Sequence, residues 1–128
     1  MSLLLDTHAF LWFMEGNGKL SEPARLSIEN TEGQRFLSVA SAWEMAIKAS
    51  LGKLTLAKPL GELLPALLAD AGITLLPIEI ADVARVAALS FHHRDPFDRL
   101  LVAQALERDL AIVSADSALD AYNVRRVW

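Results

Sequence analysis

Short apolar runs alternate with helical segments along this 128-residue chain, and no other feature constrains its fold as strongly. The runs predict short strands at residues 2–5, 36–39, 73–76, 111–113 and 124–127. The segments between them predict helices over residues 8–14, 22–31, 42–52, 60–71, 80–89 and 96–109, with a helical turn over 117–121. This alternation is typical of an α/β fold with a mostly parallel sheet that helices cover on both faces.

Two of the predicted helices begin at capping signals that contain acids. Ser41 and Glu44 have the S-x-x-E spacing of a capping box, which places Glu44 in the first turn of its helix. Asp95 precedes Pro96 at the favoured first helical position, so Asp98 falls at the third position of the next helix. Because acids at helix N-termini are stabilised by the helix dipole, each of these carboxylates has a structural explanation as well as a functional one.

Apolar side chains recur at helical spacing in two other segments. In residues 60–71 the stripe consists of Leu60, Leu63, Leu64, Leu67 and Leu68. In residues 80–89 it consists of Ile80, Val83, Ala84 and Ala87. Both stripes predict amphipathic helices.

Composition narrows the classes of protein that remain. Apolar residues make up 53% of the chain, above the usual fraction of roughly 45–50%, so we expect a self-interface or a partner groove. The absence of cysteine excludes disulfides and thiolate metal sites. The net charge of −4 is unlike that of a passive nucleic-acid coat protein. With no signal-peptide pattern and no long apolar stretch free of charge or proline, we expect a single cytoplasmic domain over residues 1–128 without a membrane span.

Four acids fall at equivalent places in the predicted fold. Asp6 directly follows the first strand, and Asp116 lies just beyond the fourth. Glu44 and Asp98 are predicted in the first turns of helices. A crossover helix runs antiparallel to the strands of a parallel sheet, so its N-terminus lies at the carboxyl edge of the strands. All four carboxylates are therefore predicted at the edge where open α/β sheets bind ligands.

Carboxylates gathered at one edge need a compensating positive charge. At a separation of about 5 Å, each pair repels by roughly 3 kcal/mol at an effective dielectric constant near 20. Protonation, basic partners or a divalent cation would relieve this repulsion. An all-oxygen ligand set suits Mg²⁺ or Mn²⁺ rather than zinc. Because such an ion activates water and stabilises a phosphoryl transition state, the pattern favours metal-dependent phosphodiester hydrolysis.

Two other functions fit part of the same pattern. In a non-catalytic interaction domain, the acids would cap helices and bind a basic partner peptide in an acidic pocket. In a phosphatase or phosphotransferase, Asp6 would be the nucleophile. Haloacid-dehalogenase-like phosphatases have a second acid two residues further on, whereas this chain has His8 there, which disfavours that class.

The stretches that carry the acids also resemble those of a known family. They are LLLDTHAFLW at 3–12, SVASAWEMAIKASLGKL at 38–54, HRDPFDRLLVAQAL at 93–106 and IVSADSALDAY at 112–122. In this order they are similar to the PIN-domain family, in particular the VapC-type toxins of bacterial toxin–antitoxin pairs. The resemblance implies a three-layer α/β/α fold with a parallel sheet of about five strands. It also implies a Mg²⁺- or Mn²⁺-dependent endoribonuclease that hydrolyses RNA phosphodiesters with a metal-activated water.

The same resemblance implies roles for individual residues. It assigns the metal-binding and catalytic acidic quartet to Asp6, Glu44, Asp98 and Asp116. Within it, Asp6 and Asp98 would hold the catalytic cation, while the other two would assist through water or a second ion. The family pattern before the last acid is Thr-x-Asp, whereas this chain has serine at the first position, which keeps the hydroxyl. The side chains expected around the metal ligands are Thr7, Ser41, Asp95 (an N-cap first) and Ser114.

Basic and aromatic side chains near the acids are candidates for binding RNA. Lys48 lies one helical turn beyond Glu44, and Arg94 and Arg99 flank the start of the Asp98 helix. These three would contact phosphate or, alternatively, neutralise the acids. The aromatic candidates for base stacking, which would otherwise belong to the core or an interface, are Trp12, Phe13 and Trp43. The candidates for a separate base, which would otherwise be structural or face solvent, are His8, His92 and His93.

The resemblance also implies two protein partners, a cognate antitoxin and a second copy of the chain in a homodimer. We expect the antitoxin to lay a helix or an extended tail across a groove near Phe10, Leu11, Trp12 and Phe13. A basic antitoxin residue would then enter the acidic pocket and displace the cation. The high apolar fraction fits both interfaces.

Overall fold

The computed structural model describes residues 1–128 and contains the predicted elements in the predicted order. The strands are β1 (Leu3–Leu5), β2 (Arg35–Ser38), β3 (Thr74–Leu76), β4 (Ala111–Val113) and β5 (Arg125–Val127). The helices are α1 (Thr7–Glu15), α2 (Glu22–Asn30), α3 (Val39–Ser50), α4 (Leu60–Ala71), α5 (Ile80–Ala88) and α6 (Pro96–Arg108), followed by a 3-10 turn at Ser117–Ala121. None of these helices is long and apolar enough to cross a membrane.

All neighbouring strands of the five-stranded sheet are parallel, in the order β3-β2-β1-β4-β5. The central strand β1 aligns Leu5 with Leu37 of β2 on one side and with Val113 of β4 on the other. Because helices cover both faces, β1 and β4 are short, continuous apolar runs that are fully buried. The predicted α/β fold with a parallel five-stranded sheet is thereby confirmed.

Successive side chains of β1 belong to different faces of the sheet, as the two-residue period of a strand requires. Leu3 and Leu5 pack into one apolar cluster, whereas Leu4 packs into the other. The first cluster joins the sheet to α1–α4, with the fully or nearly fully buried side chains of Phe10, Ala24, Ile28 and Met45. The second joins it to α6 and the 3-10 turn, with Leu101, Val102, Ala105 and Leu119.

The predicted start of α3 is wrong by three residues. Ser38, the last residue of β2, is the N-cap, and its hydroxyl accepts a hydrogen bond from the Ala40 amide at 3.0 Å. The strand therefore passes into the helix without a loop. Glu44 lies in the second turn instead of the first, and Ser41 lies inside the helix with its buried hydroxyl unpaired. The S-x-x-E spacing thus does not form a capping box here.

Helix α5 turns a polar side chain inward and most of its predicted apolar stripe outward. Asp82 is fully buried and accepts hydrogen bonds from both terminal guanidinium nitrogens of Arg108 on α6, from Nη2 at 3.0 Å. The Glu79 amide donates a further bond at 2.8 Å. Ile80 and Val83 are 84% and 53% exposed. An ion pair with a fully buried acid and a partly exposed arginine therefore anchors α5 to α6.

Candidate functional site

Five carboxylates line one cavity of about 310 Å³ at the carboxyl edge of the sheet. Asp6 is the residue after β1, and Asp116 follows β4. Glu44 reaches the cavity from α3, and Asp95 and Asp98 reach it from the start of α6. The structure therefore brings together all four acids that the sequence places at this edge. The cavity is also lined by Thr7, His8, Trp12 and Ala115.

Asp6 caps a helix and also has a carboxyl pKa above its ordinary value. Its Oδ1 accepts a hydrogen bond from the Ala9 amide at 2.8 Å, so it caps α1. Burial raises the pKa of its carboxyl above the ordinary value, and the charge of Glu44 raises it further. The Ser114 hydroxyl, the Ala9 amide and His8 oppose this rise without cancelling it. The contacts of Asp6 therefore do not fully compensate the cost of burying its charge.

Asp98 is the most strongly perturbed acid of the cavity. Asp95 caps α6 as predicted, because its Oδ1 accepts hydrogen bonds from the amides of Phe97 (2.8 Å) and Asp98 (3.3 Å). Burial raises the pKa of the Asp98 carboxyl to about 7, and the charges of Asp95, Asp6 and Glu44 add to the effect, while His93 opposes it. Near neutral pH this group thus gives up its proton readily to a competing cation.

Glu44 is held by neighbours on two helices. The Thr7 hydroxyl donates a hydrogen bond to its Oε1 at 2.6 Å. The Lys48 ammonium lies 3.2 Å from its Oε2, one turn further along α3. Lys48 therefore neutralises an acid in this structure, which is the second of the two roles that the sequence left open for it.

Asp116 is paired with a histidine that the sequence did not single out from two others. Nε2 of His93 lies 2.7 Å from Oδ2 of Asp116 and 3.4 Å from Oδ2 of Asp98. The hydrogen bond from His93 is the main reason that the pKa of the Asp116 carboxyl is below its ordinary value. Asp116 also caps the 3-10 turn through a 3.0 Å bond from the Ala118 amide. The position of His93 two residues before Asp95 was the only sequence signal for this contact.

Comparison with known proteins agrees with this geometry. The family model described as "PIN domain" matches residues 3–124, which is nearly the whole chain. The chain belongs to the PIN-domain family. A search of curated protein sequences gave no significant match to this PIN domain.

Solved structures with this PIN fold include chains of several toxin–antitoxin complexes. VapBC2 from Rickettsia felis, bound to a DNA fragment from its promoter, matches with a TM-score of 0.70, 11% identity and full coverage of both chains. VapBC-1 from nontypeable Haemophilus influenzae matches with a TM-score of 0.67 and 12% identity, over 98% of this chain and 96% of that one. FitAcB from Neisseria gonorrhoeae matches with a TM-score of 0.62 and 17% identity, over 97% of this chain and 95% of that one. At these identities the likeness establishes the fold.

Arg99 is not available to contact RNA phosphate, which corrects one expectation for this PIN domain. The residue is 7% exposed, and its guanidinium donates to the carbonyls of Val86 (3.2 Å) and Ser90 (3.0 Å). The Phe91 ring covers it at 4.2 Å. Arg99 thus closes the C-terminal end of α5 instead of facing the acids. Arg94 is exposed and stays a candidate phosphate contact.

Of the two serines expected around the acids, one contacts them. The Ser114 hydroxyl accepts a hydrogen bond from the Asp116 amide at 3.0 Å and lowers the pKa of Asp6. Ser41 is buried with no partner and does not line the acidic cavity. The expected place of Ser41 beside the metal ligands is therefore not what the structure shows.

A second cavity, which we call the apolar groove, lies between α1, the C-terminal half of α3 and α4. It has a volume of about 200 Å³. Of the four residues that the sequence suggested for a partner groove, Phe10 and Leu11 line this cavity, whereas Trp12 and Phe13 lie outside it. The other residues that line it are Met14, Glu15, Met45, Leu54, Thr55, Leu56, Ala57, Leu60, Leu63, Leu64 and Leu67, of which residues 54–57 belong to the loop between α3 and α4.

Proposed function

We propose that this PIN domain is a Mg²⁺- or Mn²⁺-dependent endoribonuclease and the toxin of a toxin–antitoxin pair. The observation that carries the proposal is the acidic cavity. Five carboxylates line it and no lysine or arginine does. Burial raises the pKa of two of them, Asp6 and Asp98. Lys48 compensates only one of the five, Glu44, so the cavity keeps an excess of negative charge that suits an external cation.

The donor set fits a hard divalent cation. Carboxylate oxygens make up most of the strong ligand atoms in the cavity, and the imidazole of His8 is the one nitrogen ligand in its lining. Mg²⁺ and Mn²⁺ prefer such oxygen ligands. We assign the cation to Asp6 and Asp98, with Glu44 and Asp116 assisting. When bound, it supplies Lewis-acid stabilisation of the phosphoryl charge and activation of water for attack at phosphorus.

The chain's own residues prepare this site before substrate arrives. The Ala9 amide orients Asp6, and the Thr7 hydroxyl orients Glu44. Asp95 keeps the first turn of α6 in place, which positions Asp98. Because backbone amides and a short side chain make these contacts, the carboxylates are held rigidly, which lowers the cost of ordering them around an ion and a phosphate.

The partners that we propose are RNA, a cognate antitoxin and a second copy of the chain. The structures that resemble this fold belong to toxin–antitoxin complexes, which supports an antitoxin partner. The apolar groove provides a surface on which an apolar antitoxin segment would bury side chains. Size-exclusion chromatography with light scattering measures the stoichiometry of the free chain and of the complex.

Replacement of the acids by isosteric amides tests whether the chain is a metal-dependent ribonuclease. Asp6→Asn and Asp98→Asn keep the size of each side chain, and asparagine also caps helices. We expect each to reduce RNA cleavage by about 100-fold or more, as loss of a group that stabilises the transition state does, and EDTA to abolish cleavage by the wild type. The matched control is Asp109→Asn, since Asp109 is 96% exposed and lies outside the cavity.

The same variants separate the enzyme from a non-catalytic interaction domain. A nuclease toxin loses its growth inhibition together with its RNA cleavage, while an interaction domain keeps binding and phenotype. Cleavage that survives both in Asp98→Asn and in EDTA would rule out the proposed metal-dependent mechanism.

A further inference from the structure

We propose that His93 is a positioning residue of the acidic site, whose Nε2–H donates to Asp116 and holds that carboxylate toward the cation, and that His93 is not itself a metal ligand. The inference rests on the proposed function. It concerns a side chain whose ring nitrogen lies close enough to Asp98 and Asp116 to complete a three-residue metal site. The choice between ligand and donor depends on which ring nitrogen carries the proton.

The backbone decides the tautomer of His93. The Asp95 amide lies 3.0 Å from Nδ1 of the ring. An amide N–H can only donate, so Nδ1 must be the acceptor and the proton of the neutral ring is on Nε2. Nε2 faces Asp116 at 2.7 Å. It therefore offers the acids a proton donor, not the lone pair that a metal ligand needs.

A partly buried hydrogen-bond network also holds the main chain of His93. The His93 amide donates to the Tyr122 hydroxyl at 3.0 Å, and the His92 amide donates to the same oxygen at 3.2 Å. Arg99, buried at the end of α5, donates to this oxygen from 3.2 Å. Tyr122 is only 7% exposed. The contacts thus run from Arg99 through Tyr122 to His93 and end at Asp116.

Asp116 receives one donor on each of its oxygens. His93 donates to Oδ2, and the Ala118 amide donates to Oδ1 at 3.0 Å. Two donors from different segments fix the plane of the carboxylate, while each oxygen keeps a lone pair for a cation or its water. Donors in this position typically change metal affinity by about 10–100-fold when they are removed.

Two substitutions of His93 separate its two hydrogen bonds. Asparagine at 93 keeps an acceptor for the Asp95 amide and removes the donor to Asp116, whereas glutamine places an amide N–H near the position of Nε2. We expect His93→Asn to weaken Mn²⁺ binding, measured by calorimetry on the full chain, about tenfold or more, and His93→Gln to restore most of the loss. Tyr122→Phe, which removes only the hydroxyl, should weaken binding less.

The neighbouring histidine provides the matched control. The His92 ring packs edge-on against Tyr122 at 5.1 Å and does not line the acidic cavity. We therefore expect His92→Asn to bind Mn²⁺ like the wild type. Pulsed EPR of the Mn²⁺-loaded protein should show the same nitrogen couplings in the wild type and in His93→Asn, and circular dichroism confirms that each variant is folded.

Three results would overturn the inference. Unchanged or tighter Mn²⁺ binding by folded His93→Asn would show that the histidine does not support the site. A coordinated-nitrogen signal that disappears in His93→Asn would make it a ligand. A wild-type chain that cleaves RNA but binds no Mn²⁺ would overturn the positioning role and the metal dependence together, while normal metal binding without RNA cleavage would overturn only the proposed nuclease.

Discussion

Asp82 and Asp98 lie at opposite ends of the α5–α6 pair. Burial disfavours the charged form of both carboxylates, but only Asp82 has an arginine partner. Asp82 is fully buried, and the guanidinium of Arg108 holds the pKa of its carboxyl below the ordinary value in spite of the opposing effect of burial. Asp98, with 25% of its side chain exposed, has other carboxylates as neighbours, and its pKa rises to about 7. The fold supplies a cation to the first and none to the second. A buried acid with an internal partner is structural, whereas one without a partner is a site for an external cation.

Removal of the internal cation should have the largest effect on stability. Arg108→Met leaves the Asp82 charge buried and unpaired, so we expect the free energy of unfolding to fall by about 3 kcal/mol or more at pH 7. Urea denaturation measures the change. The control, Arg125→Met, disrupts a pair that is 57% and 96% exposed and 3.4 Å apart, and it should change stability by less than about 1 kcal/mol. Equal losses of stability in the two variants would show that the Asp82–Arg108 pair stabilises the fold no more than the exposed Asp109–Arg125 pair does.

Removal of the charge at Asp98 should instead increase the free energy of unfolding of the metal-free protein near neutral and alkaline pH. Because its folded pKa is about 7 and its ordinary value is 3.8, the native state binds the proton more tightly than the unfolded chain does. The metal-free protein therefore loses stability as the pH rises from about 4 to about 7.

Asp98→Asn resembles the protonated acid at every pH. We expect it to be as stable as the wild type near pH 4, and more stable at pH 8 in EDTA by at most about 4 kcal/mol. Thermal melts across this range measure the difference. A variant less stable than the wild type at pH 8 would show that the Asp98 charge is already compensated within the fold.

Addition of a divalent cation should reduce the difference in stability between the wild type and Asp98→Asn at pH 8. A ligand that binds only the native state stabilises it by about 2.7 kcal/mol at 100 times its dissociation constant. We expect Mn²⁺ at pH 8 to raise the melting temperature of the wild type and of Arg108→Met alike, and to leave that of Asp98→Asn nearly unchanged. An equal rise in all three would place the ion elsewhere.

The smallest expected effect concerns the neighbour that caps α6. The charge of Asp95 contributes to the raised pKa of Asp98, second to burial. Asp95→Asn keeps a capping side chain and removes this charge, so the pKa of Asp98 should move toward its ordinary value. The pH dependence of metal-free stability should shift to lower pH accordingly. A profile that does not move would show that the charge of Asp95 is not an important cause of the raised pKa.

The convergence of the acids was predictable because it depends only on chain direction. Asp6 and Asp116 follow parallel strands, and Asp98 lies in the first turn of a helix that returns antiparallel to them, so sequence order alone places them at one edge. The start of α3 was missed because two serines three residues apart both satisfy the N-cap preference. Ser38 became the cap because β2 runs directly into the helix.

The contacts of His93, Arg99 and Asp82 were not predictable in the same way. Each joins segments that are far apart in sequence: His93 reaches Asp116, Arg99 reaches Tyr122, and Asp82 reaches Arg108. A charged residue in an amphipathic helix normally faces solvent, so α5 gave no local sign that Asp82 would be buried.

The sequence by itself determined the α/β class, the parallel sheet and the edge at which the acids meet, because short apolar runs and chain direction leave few alternatives. Only the tertiary structure decided which buried carboxylate received a guanidinium, which retained an elevated pKa, and which acid the His93 ring contacts. These properties depend on separations of about 3 Å between groups brought together by packing, and electrostatic and hydrogen-bond energies change steeply over such distances.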